Sequence, residues 1–103
     1  MLKNKEIATL KYIAHSSEIN KYIIGKEPIK ETLLDMLDNA LEANEMIKIS
    51  MLKTCPNTVE EVSTILKSEL GVEIVQKIGR TLIIYRESRK NKKITKLIHE
   101  HRN

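Results

Sequence analysis

Between Ala40 and Leu52 the spacing of apolar side chains changes from a helical period to strict alternation, with almost no connecting chain. Upstream, Ile29, Leu33, Leu37, Ala40 and Leu41 lie on one stripe of a helix predicted over about 28–44, and Glu31, Asp35, Asp38 and Glu42 lie on another. Downstream, Met46 to Leu52 reads as a strand with Ile47, Ile49 and Met51 on one side; Lys48 and Ser50 share the other with Met46 and Leu52. A second junction follows at residues 76–86. There Gly79-Arg80 is a two-residue Gly-X connection of the kind that closes a hairpin, followed by the strand Leu82-Ile83-Ile84-Tyr85. A chain that sets an amphipathic helix against one strand and folds a hairpin after it is confined to a sheet with helices packed on it.

The remaining elements fit that frame. Ile7, Leu10, Ile13 and Ala14 predict a first helix within residues 4–14, and residues 20–24 end a short strand in Tyr22-Ile23-Ile24. Gly25-Lys26-Glu27-Pro28 turns the chain, with Pro28 suited to the first helical position, where a missing N–H costs nothing. Thr58 and Glu61 have capping-box spacing before a third helix with Val59, Val62, Ile65 and Leu66 inward, and Gly71 is placed to end it. Val72 to Ile78 is the next strand. The predicted order is α-β-α-β-α-β-β. One crossover, from Met46 to Ile78, and one hairpin imply an α/β fold with a four-stranded mixed sheet and three helices packed on it.

With 103 residues the chain has material for one core. Its 41% hydrophobic and 31% charged residues are ordinary for a soluble domain, and no apolar run is long enough to cross a membrane. Met1 to Glu6 lacks the apolar run of a signal peptide, and Cys55 is the single cysteine, which fits a reducing cytoplasm and a small packing residue. The charge of +4 is unevenly placed. Residues 86–103 hold seven Lys or Arg against two Glu, whereas residues 1–85 hold 11 basic and 12 acidic side chains. The division expected is a domain over 1–86 and a basic tail over 87–103, in which Ile94, Leu97 and Ile98 form at most one amphipathic turn. Such a tail either attracts a polyanion or is solvated.

No arrangement of catalytic groups stands out. His15, His99 and His101 are dispersed, and His99-x-His101 lacks a third ligand at a recognised metal spacing. The acidic stripe is better read as an outer helix face than as a nuclease centre, and no phosphate-binding nucleotide motif occurs. No cofactor, metal or small-molecule substrate is implied. Tyr12, Tyr22 and Tyr85 are the only aromatics, too few for a stacking platform on a sheet. Gly25 with Lys26, before a helix N-terminus, has the makings of a phosphate-approaching turn or of a structural one.

Taken in order, residues 10–15 (Leu-Lys-Tyr-Ile-Ala-His), Ile24-Gly25-Lys26, the junction 40–52, Cys55, the hairpin 76–86 and the run from Arg86 to Ile94 resemble the bacterial single-domain CRM proteins of the YhbY type. CRM stands for chloroplast RNA splicing and ribosome maturation. The resemblance covers nearly the whole chain to Ile94. It implies a two-layer α/β sandwich of the α+β kind, similar to the C-terminal domain of translation initiation factor three and distantly to KH domains, with a Gly-x-x-Gly loop in an RNA surface. Matched by position, that surface would include Lys11, His15, Gly25 and Lys26. Charge adds Lys30, Arg80, Arg86, Arg89, Lys90, Lys92 and Lys93. The chain departs from the pattern at Pro28, which stands for the loop's second glycine, between Ala14 and Gly25, one residue longer, and in the extension 95–103.

The expectation is a non-enzymatic RNA-binding protein that associates with large ribosomal subunit precursors, partnered by structured RNA and the pre-ribosomal particle, with no membrane contact. Lys26 and the tail would supply most of the phosphate attraction, and contacts would go mainly to the backbone. The alternative is an adaptor whose acidic second helix docks a basic ribosomal protein.

Overall fold

The computed structural model describes residues 4–16, 19–25, 29–89 and 94. Three helices, α1 (Asn4–Ser16), α2 (Glu31–Asn44) and α3 (Val59–Leu70), accompany four strands, β1 (Lys21–Ile24), β2 (Met46–Met51), β3 (Glu73–Ile78) and β4 (Thr81–Tyr85). The order and the α/β class are those expected. The sheet is mixed, with strands ranked β1-β2-β4-β3; β1 runs parallel to β2, and β4 is antiparallel to both neighbours.

The crossover from Met46 to Ile78 therefore links two parallel strands that are not neighbours, because β4 lies between them. Burial accounts for this order. Leu82, Ile83, Ile84 and Tyr85 are all nearly inaccessible, so β4 must be covered on both faces and takes a central place. Strand β3 ends in exposed Lys77 and Ile78 and belongs at the edge. The neighbouring parallel pair is β1 and β2, joined through α2.

Alternation along the strands divides the core. Ile47, Ile49 and Met51 of β2 join Leu82 and Ile84 of β4 beneath α2 and α3, which contribute Leu37, Ala40, Leu41, Val62, Leu66 and Leu70. Met46, Ile83 and Tyr85 point the other way, to Leu10, Ile13 and Ala14 of α1, and Ile94 joins them. The sheet and the α2–α3 pair make the expected two layers; α1 covers part of the second face.

The element ends follow from local chemistry. Thr58 Oγ1 accepts the Glu61 N–H at 3.1 Å while Glu61 Oε1 accepts the Thr58 N–H at 2.8 Å, the reciprocal cap predicted for α3. Gly71 ends that helix in the left-handed region (φ 65°), and Gly79 opens the hairpin at φ 57°. Helix α2 begins at Glu31, later than expected. Lys30 has extended angles (φ −116°, ψ 167°) and only its carbonyl enters the helix, accepting the Leu34 N–H. Pro28 lies outside the described residues.

The α2–β2 junction depends on Glu45. It is fully buried and has φ 64° and ψ −37°, a conformation an L-residue adopts at a cost of about 1–3 kcal/mol. Its N–H still donates to Leu41 O (2.8 Å), and its carbonyl accepts the Arg86 N–H (2.9 Å), which reverses the chain within one residue. Its carboxylate accepts the backbone N–H of Ser88 at Oε2 (2.7 Å) and of Ile94 at Oε1 (2.8 Å). Burial of Ser88 and Ile94 completes this anchorage, so the chain beyond β4 is tied to the body at both residues. Glu45→Gln removes one of the two carboxylate acceptors while preserving size. It should lower stability by about 1–3 kcal/mol in urea unfolding; a wild-type midpoint and slope would show that the carboxylate does not hold this segment.

Candidate nucleic-acid interface

The sheet has two ends, and the proposed basic residues divide between them. At one end lie the C-termini of the parallel strands β1 and β2 and the β3–β4 hairpin. Hydrogen bonds knit them together: Leu52 N donates to Ile24 O (2.9 Å), Met51 N to Arg80 O (2.8 Å), and Arg80 Nη1 to Leu52 O (3.3 Å). Gly25 and Arg80, far apart in sequence, thus flank Leu52 on one rim. A cleft of about 300 Å³ opens beside Arg80, lined also by Lys53, Cys55, Asn57 and Thr58. Cys55 is half-buried and packs against the core, as expected of a small packing residue. Lys30 is exposed at the start of α2.

Gly25 does not owe its place to backbone geometry. Its φ is not positive, and a Cβ there would meet Leu52 Cδ1 at 3.6 Å, an ordinary contact. The residue is half-buried, and the fold does not require it to be glycine.

Lys11 and His15 lie one turn apart on α1, both exposed, on the second face of the sheet. His15 Nε2 donates to Gln76 Oε1 at 3.0 Å, which fixes the helix end over β3. Lys77 faces α3 instead. Its ammonium pairs with Glu60 at 2.7 Å and, with the coulombic attraction, holds that carboxyl below its ordinary range; both groups are exposed.

Arg86 is used differently from the expectation. Strand β4 carries it to the opposite end from Arg80, roughly 17 Å along five strand residues. There its guanidinium, largely covered, pairs with Asp38 (2.7 Å) and Glu42 (3.2 Å) and donates to the carbonyls of Leu70 and Asp38. The Ser88 hydroxyl also donates to Glu42, at the carbonyl oxygen (2.7 Å) and Oε2 (3.0 Å). Arg86 is a clamp between α2, α3 and β4, and it leaves the candidate surface. The C-terminal half of the acidic stripe is correspondingly engaged by this chain's own arginine and serine, although the Asp38 and Glu42 side chains stay 49% and 43% exposed. Arg89 is exposed at the same end. Lys26, Lys90, Lys92 and Lys93 lie outside the described residues, as do His99 and His101. The basic residues therefore do not form one continuous set: Gly25, Lys30 and Arg80 share one end, Lys11 and His15 adjoin the second face, and Arg86 and Arg89 lie at the far end.

Two lysines were missed. The β1–β2 register places Lys21 directly beside Lys48, both on the second face beyond α1. The alternation of β2 marks Lys48 as facing away from Ile47 and Ile49, but its partner is readable only once the parallel register is known. No aromatic ring joins them: Tyr85 is buried, Tyr22 packs against the first core, and Tyr12 is on α1. Among the described residues, no group of three His, Cys, Asp or Glu is arranged to hold a metal ion, and no helix is long and apolar enough to cross a membrane.

Comparison with known proteins agrees with this architecture. The profile of the CRS1 / YhbY (CRM) domain matches residues 2–86. The chain belongs to the CRM domain family. It is 35% identical over 71 residues to the "Probable RNA-binding protein YqeI" of Bacillus subtilis, covering 69% of this chain and 74% of that protein. In structure it is similar to the hypothetical protein SAV1595 from Staphylococcus aureus, described as "a putative RNA binding protein". That match has a TM-score of 0.64 at 33% identity and covers 89% of this chain and 95% of the other. The match to the CRM domain includes both Gly25 and Arg80.

Because the φ of Gly25 is not positive and a Cβ there would make an ordinary contact with Leu52, Gly25→Ala should leave stability unchanged or raise it by up to about 1 kcal/mol through the unfolded chain. A loss of stability in thermal unfolding would show that the turn needs glycine for folding.

Proposed function

We propose that this CRM protein is a non-enzymatic RNA-binding factor that grips structured RNA by its backbone and accompanies large ribosomal subunit precursors in the cytoplasm. The observation that carries the reading is the rim at the ends of β1 and β2, where Gly25 and the exposed Arg80 flank Leu52. The RNA-binding descriptions of the relatives from Bacillus subtilis and Staphylococcus aureus support the ligand class. The lack of an aromatic ring on the open sheet face favours phosphate and sugar contacts over base stacking. Membership of the CRM family supports the ribosomal assignment, with the Gly25 turn in the part of the Gly-x-x-Gly loop.

The adaptor reading is less favoured. An acidic helix offered to a basic protein should present its carboxylates, yet Asp38 and Glu42 are bound by Arg86 of the same chain.

A salt titration with structured RNA tests the reading. Neutralising about four phosphates gives a slope of log affinity against log salt near −3 to −4. Absence of binding at low salt would overturn it. The ribosomal part has its own readout: sedimentation of cell extract should place the protein with immature large subunits, and exclusive recovery with small soluble proteins would contradict it.

A further inference from the structure

Among the described residues the second face of the sheet is only half covered, and its open half is ordered in two rows across the strands. The outer row, next to the rim, reads Ile23, Ser50, Thr81, Ile78 from β1 to β3; each is the registered partner of the next. Ile23 and Ile78 are 59% and 51% exposed, so no element of the described chain covers this row. The inner row reads Lys21, Lys48, Ile83, Gln76. Its β3 side is closed by His15 on Gln76, and its β1 side ends in the two lysines.

Like charges directly opposite on neighbouring strands weaken a sheet. Here no carboxylate offsets them: neither row contains an acidic residue, and neither Lys21 nor Lys48 has an ion-pair partner among the described residues. The other lysine of the sheet is treated differently: Lys77, on the opposite face, is paired with Glu60. An unpaired, registered pair of ammonium groups is an arrangement that folding alone does not favour and that an anionic chain does.

We infer that this open half-face, centred on Lys21 and Lys48, is a second backbone-binding track that continues the rim of Gly25 and Arg80 toward Lys11 and His15. The occupant is the sugar-phosphate backbone of RNA, so the inference rests on the RNA-binding reading above. Adjacent strands set the two ammonium-bearing residues about 4.8 Å apart, and the rows are separated by roughly 7 Å. That spacing suits successive phosphates of one strand, with the hydroxyls of Ser50 and Thr81 between the lysines and the rim as donors to backbone oxygens. Exposed Ile23 and Ile78 bound the track on either edge and meet the apolar faces of riboses.

The test is the double variant Lys21→Gln, Lys48→Gln, measured beside wild type and a control, Lys67→Gln, on exposed α3. With structured RNA, the double variant should reduce the salt slope by about 1 for each lysine. Between 50 and 200 mM salt, wild type should therefore lose about tenfold more affinity than the double variant. Lys67→Gln should keep the wild-type slope, with a change well below the value of about 1 expected for one contacting lysine. The thermal midpoint of the double variant should equal or exceed wild type, because a repulsive pair has been removed. RNA binding by the double variant with wild-type affinity and slope would overturn the inference and leave the rim reading intact. An equal loss per charge removed in the double variant and in Lys67→Gln would also overturn it, as an effect of net charge alone. Absence of RNA binding by the wild type would instead refute the reading on which it rests.

Discussion

A single inaccessible carboxylate, that of Glu45, organises one end of this fold. It sits where α2 must reverse into β2, and its unfavourable φ is stabilised because all its backbone and side-chain polar groups have work elsewhere. The carbonyl receives Arg86, and the two carboxylate oxygens receive the backbone of Ser88 and Ile94. These bonds draw the chain beyond β4 under the sheet, where Ile94 completes the second core. Arg86 is held at the same corner by Asp38 and Glu42. Bonds to ionised partners in a partly dry site are stronger than neutral ones, which explains why a short chain can order this corner without a larger core.

Fixing that end has a consequence for the other. Because Met46 is registered with Tyr85 beside Glu45, the remaining pairs of β2 and β4 follow as far as Ser50 and Thr81, and Arg80 arrives next to Leu52 and Gly25. Structural and candidate RNA-contacting residues are thus segregated. The positive charge of Arg86 is consumed internally at the far end, whereas Arg80, Lys21 and Lys48 have no carboxylate partner among the described residues and stand on the rim and the open face. Of the acidic stripe on α2, Asp38 and Glu42 hold the chain's own Arg86 at the end away from the rim, whereas Glu31 and Asp35 remain exposed.

Much of the architecture was legible in the sequence because it depended on local period and capping. The apolar stripe of α2, the Thr58–Glu61 box, the Gly71 stop and the Gly79-Arg80 hairpin are each written within a few residues. Strand order was not, since it is decided by which strand needs cover on both faces; the run from Leu82 to Tyr85 carried that information, but it was read only as the second arm of a hairpin. Arg86 and Arg89 counted as tail charge because composition cannot distinguish a guanidinium facing solvent from one facing Asp38. Glu45 gave no signal at all: a lone glutamate between helix and strand looks like a polar linker. Lys21 and Lys48, 27 positions apart, meet only through the register of a parallel pair.

An RNA backbone along the rim and the open half-face, away from the Glu45–Arg86 corner, has a direct readout in amide chemical-shift mapping of isotope-labelled protein titrated with structured RNA. The largest changes should fall at Gly25, Lys48, Ser50, Arg80 and Thr81, with little change along the outer turns of α2 and α3. Changes concentrated instead on Glu31, Asp35 and the exposed turns of α3, with the rim silent, would contradict it.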